Sequence, residues 1–240
     1  MKIKILVCGV AALSIAQSVL ADEASVKKGI EAWLGSAGPK VEAVRKLGAL
    51  DLYEVQVEGD LLYTDAAVSH VILGDIIDVK GRRNLTEERR QKLAQIKLSD
   101  LPLNLAVKQV KGNGKRTLVT FEDPNCSYCR KLAKELQGVT NVTIYTFLYP
   151  ILSADSSEKA KNLWCAADRA KAWNELMIDG KAPPAANCDH PTEQVSALGR
   201  RLNIRGTPTL FFADGSRVPG YMPVALIEKA LDKGSAANLR

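Results

Sequence analysis

The stretch Phe121-Glu122-Asp123-Pro124-Asn125-Cys126-Ser127-Tyr128-Cys129 constrains this chain more than any other. It is a Cys-x-x-Cys pair set between an apolar run, Arg116 to Phe121, and a helix-forming run, Arg130 to Gln137. Read as strand, short loop and helix, it puts Cys126 at a helix N-terminus. Unpaired N–H groups and aligned peptide dipoles favour negative charge there. A thiol held at that end ionises more readily than a free one, and the thiolate is the nucleophile. The pattern points to a thiol–disulfide exchange centre. Cys-x-x-Cys is also half of a zinc site, so the motif alone leaves both chemistries open.

The compartment narrows the choice. The chain starts Met1-Lys2-Ile3-Lys4, runs apolar from Ile5 to about Val19 and reaches Val19-Leu20-Ala21. A basic start, a short apolar core and this ending predict a secretory signal peptide, residues 1–21, cut after Ala21. The apolar run is about 15 residues, short of the ~20 that span a bilayer. Cys8 leaves with it, which leaves Cys126, Cys129, Cys165 and Cys188. An even set in an oxidising compartment suggests disulfides, with more than one pairing possible. The closeness of Cys126 and Cys129 favours Cys126–Cys129 with Cys165–Cys188. A zinc ribbon would need a second Cys-x-x-Cys knuckle, and Cys165 and Cys188 supply none, so no metal or cofactor is expected. The formal charge of +6 falls to +4 once Lys2 and Lys4 are removed. That charge is spread along the chain without interleaved aromatics, so no nucleic-acid partner is expected.

In chain order, Ser25 to Leu34 reads as an amphipathic helix with Val26, Ile30, Trp33 and Leu34 on one side. Val41 to Val79 breaks into short β runs separated by turns, an antiparallel meander. A module of this size, residues 22–83, has a small core and gains from pairing with a second copy. Thr86 to about Leu98 predicts a charged helix capped by Thr86, with Glu87 and Glu88 in its first turn and Pro102 beyond its end. A linker is placed at 84–102. From 103 to 240 the pattern is strand, strand with Cys126 at its end, helix and strand, which implies a parallel βαβ unit. Helical stretches at 155–178 and 190–202 follow, with Trp164, Trp173, Leu176 and Leu198 as core candidates. Gly206-Thr207-Pro208 then enters a β-hairpin closed by Asp214-Gly215. A proline at a strand start removes a ladder donor. A cis bond at Thr207–Pro208 would account for it by leaving a backbone edge for another chain.

Together these features resemble known proteins. Strand, Cys-x-x-Cys, helix and a later Gly-Thr-Pro before a hairpin look like the thioredoxin fold, in which the loop proline is cis and lies against the active-site cysteines. The interval from Cys129 to Pro208 is longer than in a plain thioredoxin and leaves room for inserted helices. Leu62-Tyr63-x-Thr-Asp, Cys-x-Tyr-Cys, Trp164-Cys165-Ala166, Gly206-Thr207-Pro208 and Val218-Pro219-Gly220-Tyr221 make the whole mature chain similar to the DsbC/DsbG family of bacterial periplasmic disulfide isomerases. The resemblance implies an α+β N-terminal dimerisation domain, a charged linker helix and an α/β thioredoxin-fold catalytic domain with a helical insertion. It further implies a homodimer joined through the N-terminal domains and a structural disulfide, Cys165–Cys188. Ser127 departs from the glycine of the best-known isomerases, which leaves open the balance of isomerase, reductase and oxidant.

On this reading Cys126 attacks a wrong disulfide in a misfolded exported protein, and a substrate thiol or Cys129 resolves the mixed disulfide. Thr207, Pro208 and Tyr128 are the expected substrate contacts. A membrane-bound reductase of the DsbD type is the expected partner that keeps the pair reduced. Glu122 and Asp123 are candidates for proton relay or for polar loop structure, and His70 and His190 for surface or packing roles. The alternatives are a DsbG-like thiol reductase or chaperone and a DsbA-like oxidase. Residues 22–83 argue against the oxidase, because that family lacks such a module.

Overall fold

The structure, a computed structural model, describes residues 13–48 and 50–237. The basic start and much of the expected signal segment lie at residues 1–12, outside the described residues. The chain divides into two compact units, Met1–Leu93 and Ala94–Arg240. Among the described residues no helix is long and apolar enough to cross a membrane.

In the first unit, helix α1 (Leu13–Leu34) packs on an antiparallel sheet. Its strands are β1 (Val41–Leu47), β2 (Leu52–Val57), β3 (Asp60–Thr64) and β4 (Val71–Ile72), in the order β1-β2-β3-β4. Val26 and Ile30 are fully buried against Val41, Tyr53, Val55 and Leu62, the meander core expected from the alternation. Trp33, expected on the same face, is 57% exposed in the last turn before the chain reverses at Gly35. Glu54 also departs from the simple alternation, because it is buried on the sheet's other side. Arg45 and Arg89 each donate to its carboxylate, at 2.8 and 2.9 Å. Burial pushes the Glu54 carboxyl up and the two guanidiniums outweigh it, so the group stays below the usual carboxylate range.

Arg89 belongs to helix α2 (Leu85–Leu93), which follows two short paired strands, β5 (Ile77–Asp78) and β6 (Arg83–Asn84). The expected helix to about Leu98 ends five residues early, and Thr86 is not its cap. The Asn84 side chain accepts from the Glu87 N–H at 2.8 Å. Thr86 is fully buried, its hydroxyl 2.5 Å from the Tyr63 hydroxyl and accepting from the Ile76 N–H at 2.8 Å. After Leu93 come two short 3-10 turns, Leu98–Asp100 and Leu103–Leu105, rather than a charged helix. Ile96, Leu98, Leu101 and Leu103 pack into the core of the second unit, a burial that one straight polar helix would not permit.

The second unit is built on a sheet of order β11-β10-β8-β9-β7. These strands are β7 (Val107–Lys111), β8 (Arg116–Glu122), β9 (Val142–Leu148), β10 (Thr209–Phe212) and β11 (Arg217–Pro219). As the βαβ reading requires, β8 and β9 are parallel and are joined through α3 (Ser127–Gln137), whereas the remaining pairs are antiparallel. Alternation along β8 divides its side chains between two layers. Leu118 packs with Leu132 and Leu136 of α3 and with Ile227 and Leu231 of α7 (Val224–Ala237). Val119 and Phe121 pack with Val195 and Leu198 of α6 (Thr192–Arg201). Phe121 stacks on Phe147 at 4.7 Å and meets Tyr149 and Phe211 edge-on at 5.9 Å.

The expected helix 155–178 is two helices, α4 (Ala154–Trp164) and α5 (Arg169–Asp179). Asp168 breaks the run by capping α5, its carboxylate accepting from the Lys171 N–H. Cys165, at the end of α4, is joined to Cys188 with Cα atoms 5.7 Å apart. Trp164, Trp173, Leu176 and Leu198 are all buried.

Thr86→Val removes one hydroxyl from under α2 and leaves the Tyr63 hydroxyl and the Ile76 N–H without it. A loss of about 1–3 kcal/mol is expected, read as a lower denaturant midpoint with an unchanged slope.

Candidate active site

The cysteine pair sits where the central strand meets its helix. β8 ends at Glu122, the chain turns through Asp123-Pro124-Asn125, and α3 begins at Ser127 with Cys126 as its N-cap. Cys126 has an extended backbone, φ −75° and ψ 119°, and its sulfur accepts from the Cys129 N–H at 3.3 Å. This is the contact that an N-cap side chain makes with the third residue of a helix, with sulfur in place of oxygen. Both cysteines are free thiols; Cys126 is 5% exposed and Cys129 fully buried.

The electrostatics separate the two thiols. Cys126 is lowered to about 6. The hydrogen bond from the Cys129 thiol is the largest cause, opposed by burial and supported by Thr207 and by the N–H groups of Cys129 and Tyr128. As a thiol, Cys126 donates to the Thr207 carbonyl at 3.3 Å, which favours the protonated form. The donors facing the sulfur outweigh it, and the thiolate prevails at neutral pH. Cys129 is driven far the other way by burial first, with the Cys126 hydrogen bond and the Glu122 charge adding. One sulfur is a ready nucleophile and its neighbour a protected thiol.

Thr207 and Pro208 come to this site from the opposite side of the chain. Their peptide bond is cis, and the Thr207 carbonyl rests on Cys126. The Pro208 carbonyl already accepts from the Gly220 N–H at 2.7 Å, which ties the loop to Val218-Pro219-Gly220. Tyr128 is 55% exposed, with the Lys131 ammonium 4.9 Å from its ring centre. His190 pairs with the Thr192 hydroxyl at the head of α6, and His70 is an exposed neighbour of Asp65. Cys165 and Cys188, held in their disulfide, leave no four-thiolate metal set. Among the described residues no other cluster of metal-ligating side chains exists.

Two residues here have sharper roles than the sequence suggested. Asp123 is fully buried and its carboxylate accepts from the N–H groups of Asn125, Ile151 and Leu152 and from the Ser156 hydroxyl, all within 2.9 Å. It therefore braces the loop before Cys126 against the start of α4. Asn125 adds bonds to Ser153, Asp155 and Ser156, and Lys159 donates to it at 2.7 Å. The Asp-Pro-Asn spelling is a turn signal that could have shown part of this, but its partners lie some thirty residues away. Glu122 is also fully buried. The Thr120 hydroxyl donates to its Oε1 at 2.8 Å, and its Oε2 has no protein partner. Burial above all, with the Cys126 charge adding, raises Glu122 to about 8.

Residues 17–87 match the disulfide bond isomerase protein N-terminal domain, and 103–235 match the thioredoxin-like domain. A probable thiol:disulfide interchange protein DsbC of Bordetella parapertussis is 51% identical over 194 residues, covering 81% of this chain and 69% of that protein. The chain belongs to the DsbC family. The Escherichia coli thiol:disulfide interchange protein DsbC is 28% identical over 217 residues, 89% of each chain. A crystal structure of a disulfide interchange protein from Neisseria gonorrhoeae overlays with a TM-score of 0.55 at 40% identity, covering 56% of this chain and 99% of that one. As a DsbC-family protein the chain is a thiol:disulfide interchange enzyme, with the N-terminal and thioredoxin-like domains that its sequence suggested.

Alkylation of the reduced protein by iodoacetamide should rise with pH through about 6 and level off by neutrality. Because Cys126 ionises more easily folded than unfolded, its contribution to the stability of the reduced form is full above the unfolded thiol value of about 8.5. That contribution is lost as the pH falls through about 6. Denaturant titrations of the reduced protein and of Cys126→Ser should therefore converge at acid pH.

Proposed function

We propose that this chain is a periplasmic disulfide isomerase that reshuffles or reduces wrong disulfides in exported proteins. The observation that carries the reading is the Cys126 sulfur, lowered to about 6 at a helix N-cap and touching the cis Thr207–Pro208 loop. The Cys126 thiolate attacks one sulfur of a substrate disulfide, that S–S bond breaks, and the other substrate sulfur leaves as a thiolate. The mixed disulfide then has two fates. A second substrate thiol can attack the substrate sulfur, forming a new pairing and returning Cys126 as thiolate. Alternatively Cys129 attacks Cys126, which oxidises the pair and releases reduced substrate.

Thr207 and Pro208 supply the shaped edge beside the sulfur, and exposed Tyr128 an apolar contact for an unfolded chain. The structural role falls to Cys165–Cys188. The protein is exported on a signal peptide cleaved after Ala21 and acts as a homodimer through its N-terminal domain. In an oxidising compartment the pair needs an electron source, for which a membrane-bound reductase of the DsbD type fits the chemistry. A DsbG-like reductase with chaperone activity is the second reading, favoured by Ser127 between the cysteines.

Refolding of a scrambled multi-disulfide protein tests the first reading. The mature protein should restore activity at a rate at least about tenfold above its Cys126→Ser variant, the scale on which an activated nucleophile is recognised. Equal recovery by the two proteins would overturn the isomerase reading, and suppressed aggregation by both would favour the chaperone.

A further inference from the structure

We propose that Glu135 is a positioning residue: by tying the Tyr221 segment to α3 it fixes the Thr207–Pro208 edge over Cys126, and so sets how tightly a polypeptide disulfide docks. The inference rests on the substrate edge assigned above to Thr207 and Pro208. Its first support is a continuous line of hydrogen bonds. The Glu135 carboxylate accepts from the Tyr221 hydroxyl at 2.7 Å through Oε1 and from the Val224 N–H at 2.8 Å through Oε2. Next to Tyr221, the Gly220 N–H donates to the Pro208 carbonyl at 2.7 Å. Thr207 precedes Pro208, and its carbonyl lies 3.3 Å from the Cys126 sulfur. Cys126 in turn caps the helix that carries Glu135. The line starts on α3 and returns to it.

The second support is how little else holds this segment. β11 spans only Arg217–Pro219 and pairs with β10 alone, at the edge of the sheet. From Gly220 to Pro223 the chain forms neither helix nor strand, and Gly220 has a φ of +93°, a backbone that favours glycine. Such a segment shifts readily unless side chains fix it. Met222 and Val224 pack inward on the core shared by α3 and α7, and Glu135 fixes the polar side. Leu132 and Leu136 fill the apolar face of α3. Glu135 lies off that face, on the side of Tyr128 and Lys131, which it follows by seven and four positions. Its contribution is therefore its two polar bonds. Both favour the charged carboxylate, the Tyr221 hydroxyl first, and hold Glu135 below the usual carboxylate range. The strap is thus charge-assisted at neutral pH.

The geometry of α3 gives the strap its effect. A helix rises 1.5 Å per residue, so Glu135 stands about 13 Å along the axis from the Cys126 cap. The substrate edge is held to α3 at two separated points, the sulfur and the carboxylate. Two points fix the direction of the edge as well as its distance. An extended substrate chain pairs along that edge over several residues and depends on its direction. A small reagent meets the sulfur alone. Loss of the strap therefore weakens the docking of polypeptides and leaves the thiolate as it was.

The test is steady-state reduction, by the full chain, of a short peptide carrying one internal disulfide, with glutathione as the electron source. Glu135→Ala should raise the peptide KM by about tenfold, the scale of one lost hydrogen bond to a charged group. The kcat should stay near its wild-type value, the mark of lost uniform binding. Alkylation of Cys126 by iodoacetamide should keep its wild-type rate and pH midpoint. Tyr221→Phe should raise the KM by less, and the double variant should be no worse than Glu135→Ala alone, because the two act through one strap. An unchanged peptide KM in Glu135→Ala overturns the inference. So does an equal slowing of peptide reduction and alkylation, which marks general damage to the site. If Glu135→Ala does not fold, judged by thermal unfolding, Tyr221→Phe decides, because an unchanged KM there overturns the inference equally. Failure of the wild type to refold a scrambled protein strikes the isomerase reading and leaves the peptide comparison standing.

Discussion

Everything in the catalytic unit serves a sulfur atom at the first turn of α3. Cys126 ends one strand's turn and starts one helix, and its Sγ takes the place that a capping oxygen would hold above the Cys129 N–H. That placement makes the sulfur an acceptor for the unpaired donors of the helix. It also sets the constraint that the surrounding structure obeys. A thiolate stabilised too well would be a poor nucleophile, and one left in a fully apolar setting would not ionise. The pair answers this by asymmetry, with one sulfur at the edge of the core and the other wholly within it.

Holding that edge still needs polar atoms in places where an apolar core would be simpler. The turn before Cys126 has no regular structure of its own, and Asp123 binds it to a loop about thirty residues further on through four hydrogen bonds. Removing such an acceptor strands several buried donors at once, which is why an acid survives there. The cis Thr207–Pro208 loop closes the other side, tied back through Gly220. Among the described residues, Glu122 Oε2 near the reactive sulfur and the Tyr53 hydroxyl in the N-terminal unit are buried without a protein partner.

The N-terminal unit shows the same economy with a different purpose. Thr86 joins the Tyr63 hydroxyl and the Ile76 backbone under α2, and Glu54 is gripped by Arg45 and Arg89. A helix that is nearly all charged in sequence is thus fastened to the sheet by polar side chains rather than by an apolar stripe. Charge patterning reads that helix as a linker between domains, because partners brought together by the sheet are invisible along the chain. The same blindness places the cap at Thr86, although Asn84 makes the bond.

Local patterning was enough for a good part of this protein. The apolar run, the Cys-x-x-Cys and the helix formers determine that a thiol stands at a helix start, since capping and hydrophobic alternation act over a few residues. The meander, the hairpin at Asp214-Gly215 and the parallel unit around α3 are legible for the same reason. The tertiary structure alone decides which groups reach the sulfur. It brings Thr207 to within 3.3 Å of Cys126 across eighty-one positions, buries Glu122 with one free oxygen, and turns Asp123 into a brace. Those properties depend on burial and on partners distant in sequence, and no window of neighbouring residues contains them.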